Sequence, residues 1–336
     1  MGGEVSLHRT LSAINGDKIV LTDTKKSYTF EGIEVNKIDA TNVLDVGTNP
    51  VPIAKQLKDF KAKVVIGQNE LSLAGVKAAQ LVDAVSIVNV HTPPKYGKGI
   101  MNAMFATDYA IYNTEVAARE WGEPNALVIH PPISLAPSEF DNKGDAYTLL
   151  SSLSNKGVAT VLDLAKLYPN QRFIIVRSPA EATHGISNLE ERAAGLDNVE
   201  LHPRVPPEKV EEYFKQTRIL LVPSRYETYG MSAIEAAGYG IPSVHVDTPH
   251  VREGIGDGAI LVPPLNVEAT KNGINLIEKH YKAYSHNARK RAEWLEARQA
   301  IEMEKLADFI DSAKIPNEKE KLIRQKQVIM SSRRHR

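Results

Sequence analysis

The chain of 336 residues contains no cysteine, which excludes disulfides, thiolate nucleophiles, thiolate zinc sites and iron–sulfur clusters. It also lacks an excess of either charge. With 41 Lys and Arg against 41 Asp and Glu, no global field draws nucleic acid or an anionic membrane to the whole surface. Long apolar runs are missing as well: 219–223 and 259–263 are of strand length, far short of the ~20 residues that span a bilayer. Glu4, His8 and Arg9 interrupt the start, so no secretory signal is read there, and "MGGEVS" matches only the short, unspecific myristoylation pattern. There is no D-x-D motif and no His/Asp/Glu cluster at ligand spacing, so neither a metal nor a resident cofactor is expected. No helix-turn-helix, RNA-binding motif or internal repeat is visible.

What is present is α/β patterning. Hydrophobic residues make up 42% of the chain, enough for two packed cores at this length. Short β-branched runs at 18–22, 63–67, 85–91, 109–113 and 126–130 read as strands, separated by helix candidates such as 5–14 and 71–81. A stretch rich in Pro, Ser, Asp and Gly at 131–145 reads as a linker. The alternation then restarts, with strands expected at 146–152, 172–178, 198–202, 219–224, 243–246 and 259–264, and a long charged helical stretch from 268 to about 312. The simplest architecture is two Rossmann-like domains facing a central cleft: 1–135, then 136–290, followed by a helix and basic tail at 291–336. In 314–336 eight Lys or Arg face two Glu, which leaves open a solvated end or contact with an anionic surface. At 54–63 four lysines surround Leu57 and Phe60, a pattern shared by membrane-surface helices and ordinary surface helices.

The most informative stretch is "LLVPSRYETYGMSAIEAAGYGIPSV", where an apolar strand runs into a turn and then a helix starting near Gly230, closed by Gly240 and Pro242. The amides of Gly230, Met231 and Ser232 then lie at the positive end of a helix, an arrangement suited to phosphate. Glu227 precedes this start, and Glu235 follows about one and a half turns inside, roughly 7 Å along the axis. Carboxylates on both sides of a phosphate site suit a ligand with hydroxyls at both ends, such as a nucleotide diphosphate sugar. By spacing alone, they fit equally well as a dipole partner and a surface residue.

This stretch resembles the E-x7-E signature of glycosyltransferase family 4, retaining enzymes of the GT-B fold; Pro223, Ser224, Glu227, Gly230, Glu235, Ala236, Gly240 and Pro242 carry the likeness. The resemblance implies that Glu227 holds sugar hydroxyls of the donor, Glu235 the ribose, and the Gly230, Met231 and Ser232 amides the phosphate. "YTLLSSLSNKGVATVLDLAKLYP" resembles the family segment that opens the second domain, which gives Lys156 the diphosphate leaving group. "SIVNVHTPP" resembles the strand ending in a histidine that faces the donor sugar, here His91. "TPHVREGIGDGAILVPP" resembles the closing segment with Glu253, and the loop at 202–207, with Arg204, is expected near the base.

Two departures stand out. The family arginine is replaced at Ser152, leaving Arg177, Arg204 and Arg225 as substitute cations. The chain also opens at the Gly-Gly loop, so the first strand is expected to be missing or compensated, with Gly2 and Gly3 near the diphosphate or acceptor. The resulting expectation is a cytoplasmic, metal-independent retaining glycosyltransferase that moves a sugar from a nucleotide diphosphate sugar to a glycan, lipid or modified nucleobase. An anionic acceptor, DNA or a membrane lipid, would suit the basic tail, the latter with peripheral membrane attachment. The alternatives are an epimerase of the same fold and an inactive nucleotide-binding or scaffolding relative.

Overall fold

The computed structural model describes residues 7, 9–12, 14, 16–22, 26–30, 32–38, 49–95, 97–133, 135, 144–178, 180–206 and 209–334. Contacts divide the chain into two units, Met1–Pro132 with Gln299–Arg336, and Ile133–Arg298.

In the first unit, β1 (Val20–Thr22), β2 (Tyr28–Phe30) and β3 (Ile33–Lys37) form a small sheet of order β1-β3-β2. The sequence reading missed β2 and β3, a short hairpin whose turn contains Gly32; β2 is three residues long, and β3 alternates buried Ile33 and Val35 with exposed Glu34 instead of forming an apolar run. A separate parallel sheet has the order β4 (Val64–Gln68), β5 (Val85–Val90), β6 (Tyr109–Tyr112) and β7 (Leu127–Val128). Helices α1 (Val51–Phe60), α2 (Ser72–Leu81), α3 (Met101–Ala106) and α4 (Glu115–Glu120) alternate with these strands. In α1, Ile53, Ala54 and Leu57 are buried against Ile38, Ala74 and Ala78, while Lys55 and Lys58 are exposed. Its apolar face is therefore consumed inside the unit, and α1 is an ordinary surface helix rather than a membrane device.

The second unit holds one six-stranded sheet, wholly parallel, of order β10-β9-β8-β11-β12-β13, where β8 is Ala146–Leu149, β9 Phe173–Val176, β10 Val199–His202, β11 Thr217–Val222, β12 Ser243–Val246 and β13 Ala259–Val262. This is the 3-2-1-4-5-6 order of a Rossmann sheet, and the strand order reverses between β8 and β11. Among the described residues, this unit contains helices α5 (Val158–Leu167), α6 (Glu181–His184), α7 (Leu189–Ala194), α8 (Val210–Phe214), α9 (Met231–Gly238), α10 (Pro249–Glu253) and α11 (Val267–Lys279), with the start of the long helix that follows. Along β11, Ile219 and Leu221 join one core cluster while Leu220 and Val222 join the other. Both faces are covered, which is why this strand reads as a continuous apolar run.

The long helical stretch is broken at His280, the C-cap of α11, and continues as α12 (Tyr281–Ser312). From Gln299 onward the chain belongs to the first unit, where the sequence reading set 291–336 apart as a segment of its own. The basic tail is largely helical, α13 (Glu318–Arg334); most of its described side chains are exposed, while Val328 is buried and two cations are paired. Arg324 pairs with buried Glu123 at 2.7 Å and donates to the Met104 and Thr107 carbonyls at 2.7 and 3.1 Å; Lys321 pairs with Asp108 at 3.2 Å. Two of the eight cations that suggested an anionic partner, Lys321 and Arg324, are thus engaged in internal contacts.

Candidate active site

The loops after β8 and β11 flank the point where strand order reverses, the place at which open parallel sheets present a ligand crevice. After β8 the chain makes a 3-10 turn, Ser154–Lys156, and enters α5 through Gly157 at φ +87. A Cβ at Gly157 would stand 2.7 Å from the Pro223 carbonyl oxygen, so the absence of a side chain lets the two loops close on one another. The Arg225 amide then donates to the Asn155 carbonyl at 2.8 Å and fastens them.

This brings Lys156 and Glu227 together. Lys156 Nζ donates to Glu227 Oε1 at 2.6 Å, and buried Ser224 Oγ donates to the same oxygen at 2.7 Å. Thr248, whose hydroxyl also caps α10, donates to the Glu227 carbonyl at 3.0 Å. Glu227 keeps 15% side-chain exposure and Lys156 33%, so both remain accessible to a ligand.

Gly230 is the N-cap of α9 at φ +89, and no side chain caps this helix. The amides of Gly230, Met231 and Ser232 therefore begin a helix with its positive end uncovered by side chains. Glu235 is half-buried on α9, close enough to Tyr239 to help raise that phenol, after burial and Glu211.

One residue of this site was missed in the sequence. His245, on β12, is fully buried, its Nδ1 donates to the Val246 carbonyl at 2.9 Å, and its Nε2 has no hydrogen-bond partner. Nε2 is the atom nearest to the space a Gly230 Cβ would fill, at 2.8 Å. Burial holds the ring below its ordinary pKa; Glu227 and the Val246 carbonyl oppose that shift, and Lys156 adds to it. The available signal was a histidine in an otherwise apolar strand, "SVHV".

The remaining predicted residues belong to other elements or lie outside the described residues. His91, in the first unit, follows β5; it is half-buried but densely surrounded, and lost hydration lowers it to about 4. Its Nε2 lies 3.1 Å from Gln68 Oε1, which also accepts from Asn89 at 3.0 Å. The ring therefore carries its proton on Nε2. Arg204 is exposed beyond β10, and Gly2 and Gly3 lie outside the described residues. At the departure from the family pattern, Ser152 is fully buried, donates to Glu181 and accepts from the Ser178 amide at 2.9 Å. Arg177 is committed to Glu181 at 2.7 Å and to Glu190. Arg225 is exposed at the site's own loop, and its guanidinium has no partner among the described residues. Among the described residues, no group of three or more His, Asp or Glu is placed to hold a metal ion, and no helix is long and apolar enough to cross a membrane.

Residues 137–294 match the family model described as glycosyl transferases group 1. An uncharacterized glycosyltransferase of Haemophilus influenzae is 28% identical over 196 residues, 54% of this chain and 55% of that protein. A D-inositol 3-phosphate glycosyltransferase of Segniliparus rotundus is 29% identical over 90 residues, 26% of this chain and 20% of that protein. The chain thus spans between 16% and 55% of the length of the curated relatives it matches. Among solved structures, sucrose-phosphate synthase from Thermosynechococcus elongatus is similar at a TM-score of 0.75 and 15% identity, covering 93% of this chain and 92% of that one. Anabaena HepE in complex with UDP-glucose is similar at a TM-score of 0.67 and 14% identity, covering 84% and 86%. The chain has the GT-B fold, and it is within its second unit that residues 137–294 match the glycosyl transferases group 1 model.

Proposed function

We propose that the protein is a retaining glycosyltransferase of family 4 that takes a hexosyl group from a nucleotide diphosphate sugar. The observation that carries this reading is the meeting of Lys156, Glu227 and the uncapped N-terminus of α9 at the strand-order reversal of the second unit. UDP and UDP-glucose, the ligands of the structurally similar HepE, are the first donors to consider.

In this reading the amides of Gly230, Met231 and Ser232 and the Lys156 ammonium stabilise the departing diphosphate, where negative charge grows as the glycosidic bond breaks. Glu227 leaves its pairing with Lys156 to accept from sugar hydroxyls. Glu235 holds the ribose, and His91 keeps the role the resemblance gives it, a hydrogen bond to the donor sugar. The acceptor hydroxyl attacks the anomeric carbon on the face from which the nucleoside diphosphate leaves, and the leaving phosphate takes its proton. No metal and no side-chain base is required. A cytoplasmic location belongs to the same reading, with a glycan, membrane lipid or modified nucleobase as acceptor.

A second reading, an inactive nucleotide-binding relative, is favoured by Ser152, which fills a cation's place and is committed to Glu181 and Ser178. One experiment separates the two. Release of free nucleotide is followed by mass spectrometry from a panel of UDP-, GDP- and ADP-sugars, in wild type and in Glu227→Ala. Slow release from one donor, lost in the variant, is the expected result; binding without release by wild type supports the inactive relative.

A further inference from the structure

The unpartnered nitrogen of His245 has a use that the proposed mechanism leaves unassigned. A fully buried polar atom without a hydrogen bond is destabilising, and such atoms in native proteins call for an explanation. Here the geometry is specific. Nδ1 is fixed as a donor to the Val246 carbonyl, so the neutral ring presents a bare lone pair at Nε2. That lone pair is aimed at Gly230, the residue that opens α9 and whose amide starts the anion site. Two charged groups bear on the ring, Glu227 from the loop after β11 and Lys156 from the turn after β8, and they are paired with each other. Glu227 favours the charged ring and the weaker effect of Lys156 opposes it, so the ring's protonation responds to charge brought to this loop.

We infer that His245 is a positioning residue of the anion site: when phosphate occupies the N-terminus of α9, His245 takes up a proton on Nε2 and holds that positive charge behind Gly230, against the phosphate. The bound anion stabilises the imidazolium, and by reciprocity the imidazolium tightens anion binding. The proton comes from solvent and returns there when the anion leaves. This adds a second cation beside Lys156, which is paired with Glu227 before the donor binds.

The inference rests on the reading that this helix start takes phosphate, and two probes separate their failures. UDP-glucose and inorganic sulfate both keep constant charge between about pH 5 and 8, so pH-dependent binding reports the protein. The ring-proton NMR signal of His245, assigned by its loss in His245→Asn, is titrated in the free protein and with each anion. With either anion bound, the titration midpoint moves up. UDP-glucose binding by calorimetry tightens as pH falls, by up to about tenfold per pH unit between the free and bound midpoints. His245→Asn and His245→Gln, which cannot carry the proton, lose that slope. A midpoint that stays put under both anions, or an unchanged slope in the variants, overturns the role of His245. If sulfate moves the midpoint while UDP-glucose fails to bind, His245 stands and the nucleotide-sugar reading falls.

Discussion

Lys156 Nζ and Glu227 Oε1 lie 2.6 Å apart, joining the loop after β8 to the loop after β11. The pair is partly solvated, so its worth to folding is small, while its place at the helix start makes it valuable to charge development in a reaction. Lys156→Ala is therefore expected to lower donor turnover by about 10²–10³-fold, with a thermal midpoint within a few degrees of wild type. Loss of folding with full activity per folded molecule would make Lys156 a structural residue.

Glu235 is expected to grip the nucleotide rather than the reacting sugar. Glu235→Ala should weaken binding of the free nucleoside diphosphate by about 1–3 kcal/mol, the worth of a hydrogen bond to a charged group. Titration calorimetry decides, and unchanged affinity removes Glu235 from the ribose.

Gly230 answers to two constraints at once, φ +89 and a Cβ position 2.8 Å from His245 Nε2. Gly230→Ala should cost about 2 kcal/mol or more in urea unfolding, from backbone strain together with the clash. In the double variant Gly230→Ala with His245→Ala, the clash disappears and the strain stays, so the two effects are expected to be non-additive. Simple additivity would mean that the ring does not press on this turn.

His91 is held neutral, taking up a second ring proton only near pH 4 rather than 6.5. Between those values the unfolded chain binds a proton that the folded protein refuses, so stability falls as pH drops from about 6.5 to about 4. Replacing the ring by His91→Asn should flatten the pH dependence of stability in that window. Chemical denaturation of both proteins at pH 7 and pH 5 checks this, and an equal drop in both would assign the acid sensitivity elsewhere.

Arg324 is the anchor of the tail helix, paired with Glu123, itself only 9% exposed. Arg324→Ala leaves that carboxylate buried without its partner, at a cost of about 3–5 kcal/mol. Faster proteolysis within α13 together with lower stability is the expected outcome. An unaffected protease pattern would show that Val328 and its neighbours hold the helix without the ion pair.

The sequence by itself determined what is local. The strand at 219–222, its turn and the helix that follows are contiguous, so apolar run, glycine and helix start could be read in order. All eleven expected strands are present within a few residues, because buried parallel strands are written as apolar runs whatever their neighbours are. The short hairpin strands β2 and β3 were illegible because short, half-exposed strands lack that pattern. Tertiary structure decided which distant residues meet. Nothing in the spacing of Lys156 and Glu227, 71 residues apart, says that they pair; the sheet order that puts β8 beside β11 does. His245 becomes part of the site only because β12 lies next to β11 and Gly230 has no side chain to keep the ring away. Arg324, 201 residues from Glu123, looked like one charge of a free basic tail until packing gave it a buried partner. Periodicity records how a segment meets its own surroundings, whereas pairing of charges depends on chain topology, which single segments do not encode.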